Sequence, residues 1–102
     1  MFIFHNETTL EDLGNGVTRR ILAHGGNMMA VEVNFDAGAI GPMHNHPHEQ
    51  LTYVLSGEFE FTIGEEKRVV RAGDTLYKTI KNFTGLSIHD YSSYICMKKA
   101  AD

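Results

Sequence analysis

One hundred and two residues make one domain, with enough chain for a single core and little surplus. Hydrophobic content of 42% with ten glycines and two prolines is the composition of a globular chain. A net charge of −4, with both signs interspersed and no basic run longer than Lys98-Lys99, argues against nucleic acid and anionic membrane as partners.

In chain order, residues 2–4 are apolar and β-prone, but His5-Asn6-Glu7 follows at once, so the run is too short for a signal sequence or a membrane span. Residues 6–16 read as a loop with a helical turn at most. Residues 17–24 read as a strand, and Gly25-Gly26-Asn27 turns the chain into 28–35, a hairpin signal. Asp36-Ala37-Gly38-Ala39 turns it again, and Gly41-Pro42 leads into a cluster of histidines. Beyond the cluster, 51–55, 59–63 and 68–71 are strands separated by Ser56-Gly57-Glu58, Gly64-Glu65-Glu66 and Ala72-Gly73-Asp74, and 75–80, 86–89 and 93–98 supply closing strands. Short strands at regular spacing, with no useful helical periodicity, predict an all-β barrel or jelly roll. With no repeat and no linker, 1–102 is read as a single domain whose barrel occupies roughly 17–99. The lone cysteine, Cys96, excludes an intrachain disulfide and favours a reducing compartment, so a soluble cytoplasmic protein is expected.

The cluster is Pro42-Met43-His44-Asn45-His46-Pro47-His48-Glu49-Gln50, which holds three of the six histidines. On an extended backbone His44 and His46 point to one face about 6.6 Å apart, close enough to share one ion at roughly 2.1 Å per bond. Gln50 keeps the same parity, but His46 to Gln50 spans about 13 Å on a straight strand. A bend is therefore expected at Pro47, whose φ is fixed. If that bend carries a bulge, parity resets and Glu49 replaces Gln50 as the ligand. His48 shares the parity of His46, and is expected either at the rim or facing the cavity.

The spacing Gly38, His44, His46, Gln50, Gly57 resembles the first motif of the cupins, small β-barrels that hold a metal inside, with glutamine in place of their usual glutamate. The stretch from His46-Pro47-His48-Glu49-Gln50 through Gly57-Glu58-Phe59-Glu60-Phe61 is similar to the pectin-degradation cupins of the KdgF type, which open unsaturated uronic acids into linear keto-deoxy-uronates. The resemblance runs from about Val17 to Asp90. It implies a cupin jelly roll, a homodimer, and a divalent transition metal (zinc, nickel, manganese or iron) on His44, His46 and Gln50. It implies as a ligand a small polar molecule, an acidic sugar. In cupins a strand such as 2–4 often joins a neighbouring subunit's sheet; closing its own barrel is the alternative.

Two departures stand beside the resemblance. Ala72-Gly73-Asp74-Thr75-Leu76-Tyr77 matches the start of the second cupin motif, but Thr84 stands where the fourth ligand, a histidine, is expected. This implies three protein ligands, weak binding or a lost site; His89 could substitute only if the final hairpin turned it inward. The relatives' catalytic aspartate falls near Ile95 or Cys96, and their C-terminal arginine has no counterpart. Arg20, matched to an arginine of the relatives' early strand, and Lys78 are candidates to pair with a substrate carboxylate, against the bland reading of solvated or salt-bridged strand residues. Tyr53, Phe61, Met28, Met29, Met43 and Met97 read first as packing; Met43 could also line a pocket. Three functions remain open: a metal-dependent enzyme acting on an acidic sugar by ring opening, a non-catalytic sugar-binding cupin, and a metal-dependent dioxygenase.

Overall fold

A computed structural model describes residues 1–45 and 48–99. Among them a single 3-10 turn, His5–Glu7, precedes the strands β1 (Glu11–Gly14), β2 (Val17–Gly25), β3 (Met28–Phe35), β4 (Ile40–His44), β5 (Gln50–Ser56), β6 (Glu58–Ile63), β7 (Glu66–Arg71), β8 (Thr75–Lys78), β9 (Thr84–Ile88) and β10 (Ser92–Lys99). They form two antiparallel sheets, one in the order β1-β2-β3-β10-β5-β8 and the other β4-β9-β6-β7. The expected all-β barrel is therefore the fold, and no helix is long and apolar enough to cross a membrane among the described residues.

Alternation along each strand decides what lies inside. On β5, Gln50, Thr52 and Val54 face the interior, while Leu51, Tyr53 and Leu55 are exposed. On β6, Phe59 and Phe61 face in. The core gathers around Phe35, Ala39, Val54, Phe59, Phe61, Val70 and Ile88. Its aromatic rings pack in tilted or edge-on pairs, with Phe35 5.4 Å from Tyr94, and Phe59 6.3 Å from both Phe61 and Tyr94.

Gly57 fixes the turn between β5 and β6. Its φ is +83°, and a Cβ there would overlap the Ser92 hydroxyl and lie 2.5 Å from the Tyr91 carbonyl oxygen. Both the left-handed backbone and the close approach of the Tyr91–Ser92 segment require glycine.

Several expectations change. The segment expected as a loop over 6–16 contains β1, whose Glu11 and Asp12 pair with Arg19 and Thr18 of β2. Four residues rich in acid and turn formers gave no usable periodicity. Residues 2–4 form no strand in this chain, which removes the possibility that they close its own barrel, and Phe2 and Phe4 stand exposed. Tyr53 is 44% exposed on the outer face of β5, so of the two aromatics expected in the core only Phe61 is there. Met28, Met43 and Met97 are likewise exposed, and Met29 is half-buried.

Candidate functional site

β4 ends at His44 and β5 begins at Gln50, and both residues line one cavity together with Phe35, Phe61 and Tyr94 of the aromatic cluster. Pairing sets their neighbours. His44 lies opposite Thr84 of β9, which lies opposite Ile63 of β6. Gln50 lies between Lys98 of β10 and Lys78 of β8. A cavity of about 370 Å³ opens here between the sheets, with His44, Gln50, Thr84 and Lys98 in its wall and Tyr94 and Cys96 further in. That volume is in the range of small-ligand sites. A larger cleft of about 730 Å³ between β7 and β8 is lined by none of these polar groups, and its Arg68 and Glu66 are paired with each other at 3.0 Å.

His44 Nδ1 is 2.7 Å from the Pro42 carbonyl oxygen, a contact that is a hydrogen bond when Nδ1 carries the proton. That tautomer leaves Nε2 as the lone-pair nitrogen, the usual arrangement of a metal-ligating histidine. Gln50 Nε2 donates to Thr52 Oγ1 at 3.0 Å, which orients the carboxamide with its nitrogen engaged along the strand and its oxygen as the donor atom for a cation. Both residues therefore suit a divalent ion. Among the described residues no three His, Cys, Asp or Glu side chains come together. The third expected ligand, His46, and the bend expected at Pro47 lie outside the described residues.

The alternatives separate by placement. Glu49 is exposed and accepts a hydrogen bond from the Tyr77 hydroxyl on the outer face; this bond, with some burial and the carboxylate charge, raises the Tyr77 phenol above its ordinary value. Gln50, not Glu49, faces the interior. His48 is half-buried in the connection. His89 is exposed just beyond Ile88, at the opposite end of β9 from Thr84, so the hairpin does not bring it to the site. Thr84 is 6% exposed and faces the cavity from the position where a fourth ligand was expected.

Arg20 takes the bland role. Its Nη1 donates to the Thr8 carbonyl oxygen at 3.1 Å and its Nε lies 3.7 Å from Glu32, so it ties the N-terminal segment to the sheet. The neighbouring Arg19 has the opposite parity and lines the cavity, with an Nη2 to Glu11 contact of 3.3 Å and a buried Nε that has no hydrogen-bond partner. Lys78 is not solvated: it is 3% exposed, with Nζ donating to the Thr79 carbonyl oxygen at 3.1 Å. Burial holds its ammonium below the ordinary lysine value.

Sequence reading missed Arg19 and Lys98. Strand parity was the available signal, since Lys98 is in step with Tyr94 and Cys96, and Arg19 with Val17. Burial, followed by the nearby Cys96, raises the Tyr94 phenol far above its usual range, and burial likewise raises the Cys96 thiol against an opposing pull from Lys98. Both groups are thus neutral near pH 7 and able to donate a proton in a hydrogen bond.

Lys78 makes a testable case for strain at the site. A lysine whose folded pKa is depressed binds fewer protons folded than unfolded between that pKa and its unfolded value near 10.4, so folding stability should rise with pH across that window. Lys78→Met should abolish the rise and increase the thermal midpoint at neutral pH by a few degrees. Thermal melts of both proteins from pH 7 to 10.5 read this directly; parallel curves would show that Lys78 is not the group responsible.

Two antiparallel sheets with a cavity between them, walled by His44 from one sheet and Gln50 from the other, define a cupin. Residues 31–80 match the family model described as a cupin domain, and the chain belongs to the cupin family. Within that family it is 42% identical over 82 residues to the pectin degradation protein KdgF of Dickeya dadantii (strain 3937), covering 79% of this chain and 74% of that one. The structure of KdgF from Halomonas sp. superposes with a TM-score of 0.92 at 33% identity, covering 100% of this chain and 96% of that one. An RmlC-like cupin from Shewanella frigidimarina NCIMB 400 gives the same TM-score and identity over 98% and 90% of the two chains.

Proposed function

We propose that this protein is a cupin that acts on a small acidic sugar, by ring opening of a uronate, with a divalent transition metal held by His44, His46 and Gln50. The observation that carries the reading is the cavity wall: among the described residues its charged side chains, Arg19 and Lys98, are basic, and no Asp or Glu lines it. Similarity to the pectin degradation protein KdgF of Dickeya dadantii supports the choice of a uronate.

A zinc, nickel, manganese or iron ion bound by neutral ligands supplies Lewis-acid polarisation of hydroxyl and carbonyl oxygens. The chain's own groups would orient the sugar. The Tyr94 hydroxyl, held in its protonated form, can donate to a ring or carbonyl oxygen but does not serve as a base at neutral pH. The Cys96 thiol, raised by burial, is no base either, although it stands close to where the relatives' catalytic aspartate falls.

The lack of a lining carboxylate among the described residues favours a second reading, a sugar-binding cupin without turnover. Incubating the metal-loaded protein with an unsaturated uronate separates the two. Loss of the ring double bond's absorbance is the expected result, and binding without that loss would move the assignment to the binding module.

A homodimer in the cytoplasm completes the reading. The exposed apolar Met1, Phe2 and Phe4 support a self-association surface, and the single buried Cys96 is compatible with a reducing compartment. Sedimentation of the full chain should give twice the chain mass.

A further inference from the structure

Gln50 is the first residue of β5, where the ladder gives way to the connection from β4. The face it presents follows from alternation, because neighbouring residues of an extended chain point to opposite sides. Glu49 outside therefore means Gln50 inside. On the outer face Tyr77 of β8 stands directly opposite Leu51, and Glu49 lies two residues before Leu51 on the same side. Such a diagonal spans about 7–8 Å, within reach of an aromatic side chain. The Tyr77 hydroxyl closes it by donating to Glu49 Oε2. We propose that Tyr77 is a positioning residue of the metal site: by holding Glu49 outside, it holds Gln50 inside and presents a neutral amide oxygen to the ion. The inference rests on the metal reading given above and adds to it a residue on the face of the sheet away from the cavity.

Burial does not account for the bond. Tyr77 is 50% exposed and Glu49 is exposed, so water would satisfy both groups if they were apart. Gln50 is meanwhile held from the inner side, where its Nε2 donates at 3.0 Å to Oγ1 of the buried Thr52. The two contacts do different things: Thr52 turns the carboxamide about its own side chain, and Tyr77, through Glu49, fixes which way the backbone faces. The end of a strand is where that second constraint is needed. A one-residue bulge there would exchange the faces of Glu49 and Gln50 and put a carboxylate where the amide now stands. β8, the outermost strand of its sheet, is the element on which the entrance to β5 is braced.

The test is a competition titration of zinc, and in parallel nickel, against a chelator at pH 7 on the full chain. The parent is compared with Tyr77→Phe, Glu49→Ala, Glu49→Gln, the double variant Tyr77→Phe with Glu49→Ala, and Gln50→Ala with and without Tyr77→Phe. Each is checked for folding by its thermal melt. Tyr77→Phe and Glu49→Ala should each weaken metal binding by about three- to tenfold. The double variant should lose no more than either alone, since both changes remove one bond. Glu49→Gln, whose amide oxygen still accepts from the phenol, should keep most of the affinity. In the Gln50→Ala background Tyr77→Phe should change nothing, because the donor that it positions is gone.

Equal or tighter binding in Tyr77→Phe overturns the positioning role and leaves the metal reading standing. The same loss with and without Gln50 also overturns it, because Tyr77 would then act on the fold and not on the ligand. A folded parent that takes up neither zinc nor nickel overturns the metal reading, and the role of Tyr77 with it. Tyr77→Phe removes only the hydroxyl of a half-exposed ring and Glu49→Ala only an exposed acceptor, so the same bond is reached from both sides even if one variant were to lose its fold.

Discussion

Replacing Phe59 by alanine should destabilise the barrel by about 3–5 kcal/mol. Phe59 is fully buried and its ring lies within 6.5 Å of those of Phe35, Phe61 and Tyr94, so the substitution opens a cavity shared by both sheets. Against a total of roughly 5–15 kcal/mol for a domain of this size, a large share of the stability is at stake, and the thermal midpoint should fall by about 4–8 °C for each kcal/mol. Urea unfolding would read the loss as a lower midpoint at unchanged slope. Tyr53→Ala is the contrast: the ring is 44% exposed on the outer face of β5, and its removal should cost less than about 1 kcal/mol. Comparable losses in the two variants would mean that β5 is paired one residue out of register, because a one-residue slip exchanges inner and outer faces.

The contrast also shows what the sequence carries. Strands 28–35, 59–63 and 51–55 were legible because apolar and polar residues alternate and glycine turns bound them; Gly57, Gly64 and Gly73 all take positive φ in turns between strands. Tyr53 was misplaced because hydrophobicity alone does not say which parity faces in. Only the pairing of β5 with β10 and β8, which puts Thr52 and Val54 inside, settles that. β1 was missed because an edge strand paired on one side depends on its partner and not on its own pattern.

The site was legible in a similar, partial way. Spacing singled out His44 and Gln50, and parity without a bulge correctly preferred Gln50 to Glu49 for the interior. The resemblance puts Thr84 at the position expected for a fourth ligand, and β-pairing places it beside His44. The basic groups were harder. Arg20 and Arg19 are adjacent, and which one enters the cavity depends on a single step of parity on β2; Arg20 instead meets Thr8 and Glu32. Lys98 sits near the end of the chain in Lys98-Lys99, which looks like a solvated pair until β5 is laid against β10 and its first member turns in beside Gln50.

The two sides of the metal assignment predict opposite changes. His44→Ala together with His46→Ala should abolish metal uptake while leaving the barrel folded, because His44 is exposed and takes no part in the buried core. Thr84→His should do the reverse. Thr84 faces the cavity in register with His44, so a larger side chain there has space to enter, and its imidazole would complete a four-ligand set. The added ligand should tighten zinc or nickel binding by about tenfold or more, which corresponds to at least ~1.4 kcal/mol. Elemental analysis of tag-free protein and competition titration against a chelator measure both effects. Retention of one ion per chain in the double alanine variant would place the ligands elsewhere. An unchanged affinity in Thr84→His would mean that the ion does not sit within reach of position 84. The paired result decides more than either alone, since loss without gain points to histidines that bind away from Thr84, and loss with gain locates the ion between the two sheets at the cavity mouth.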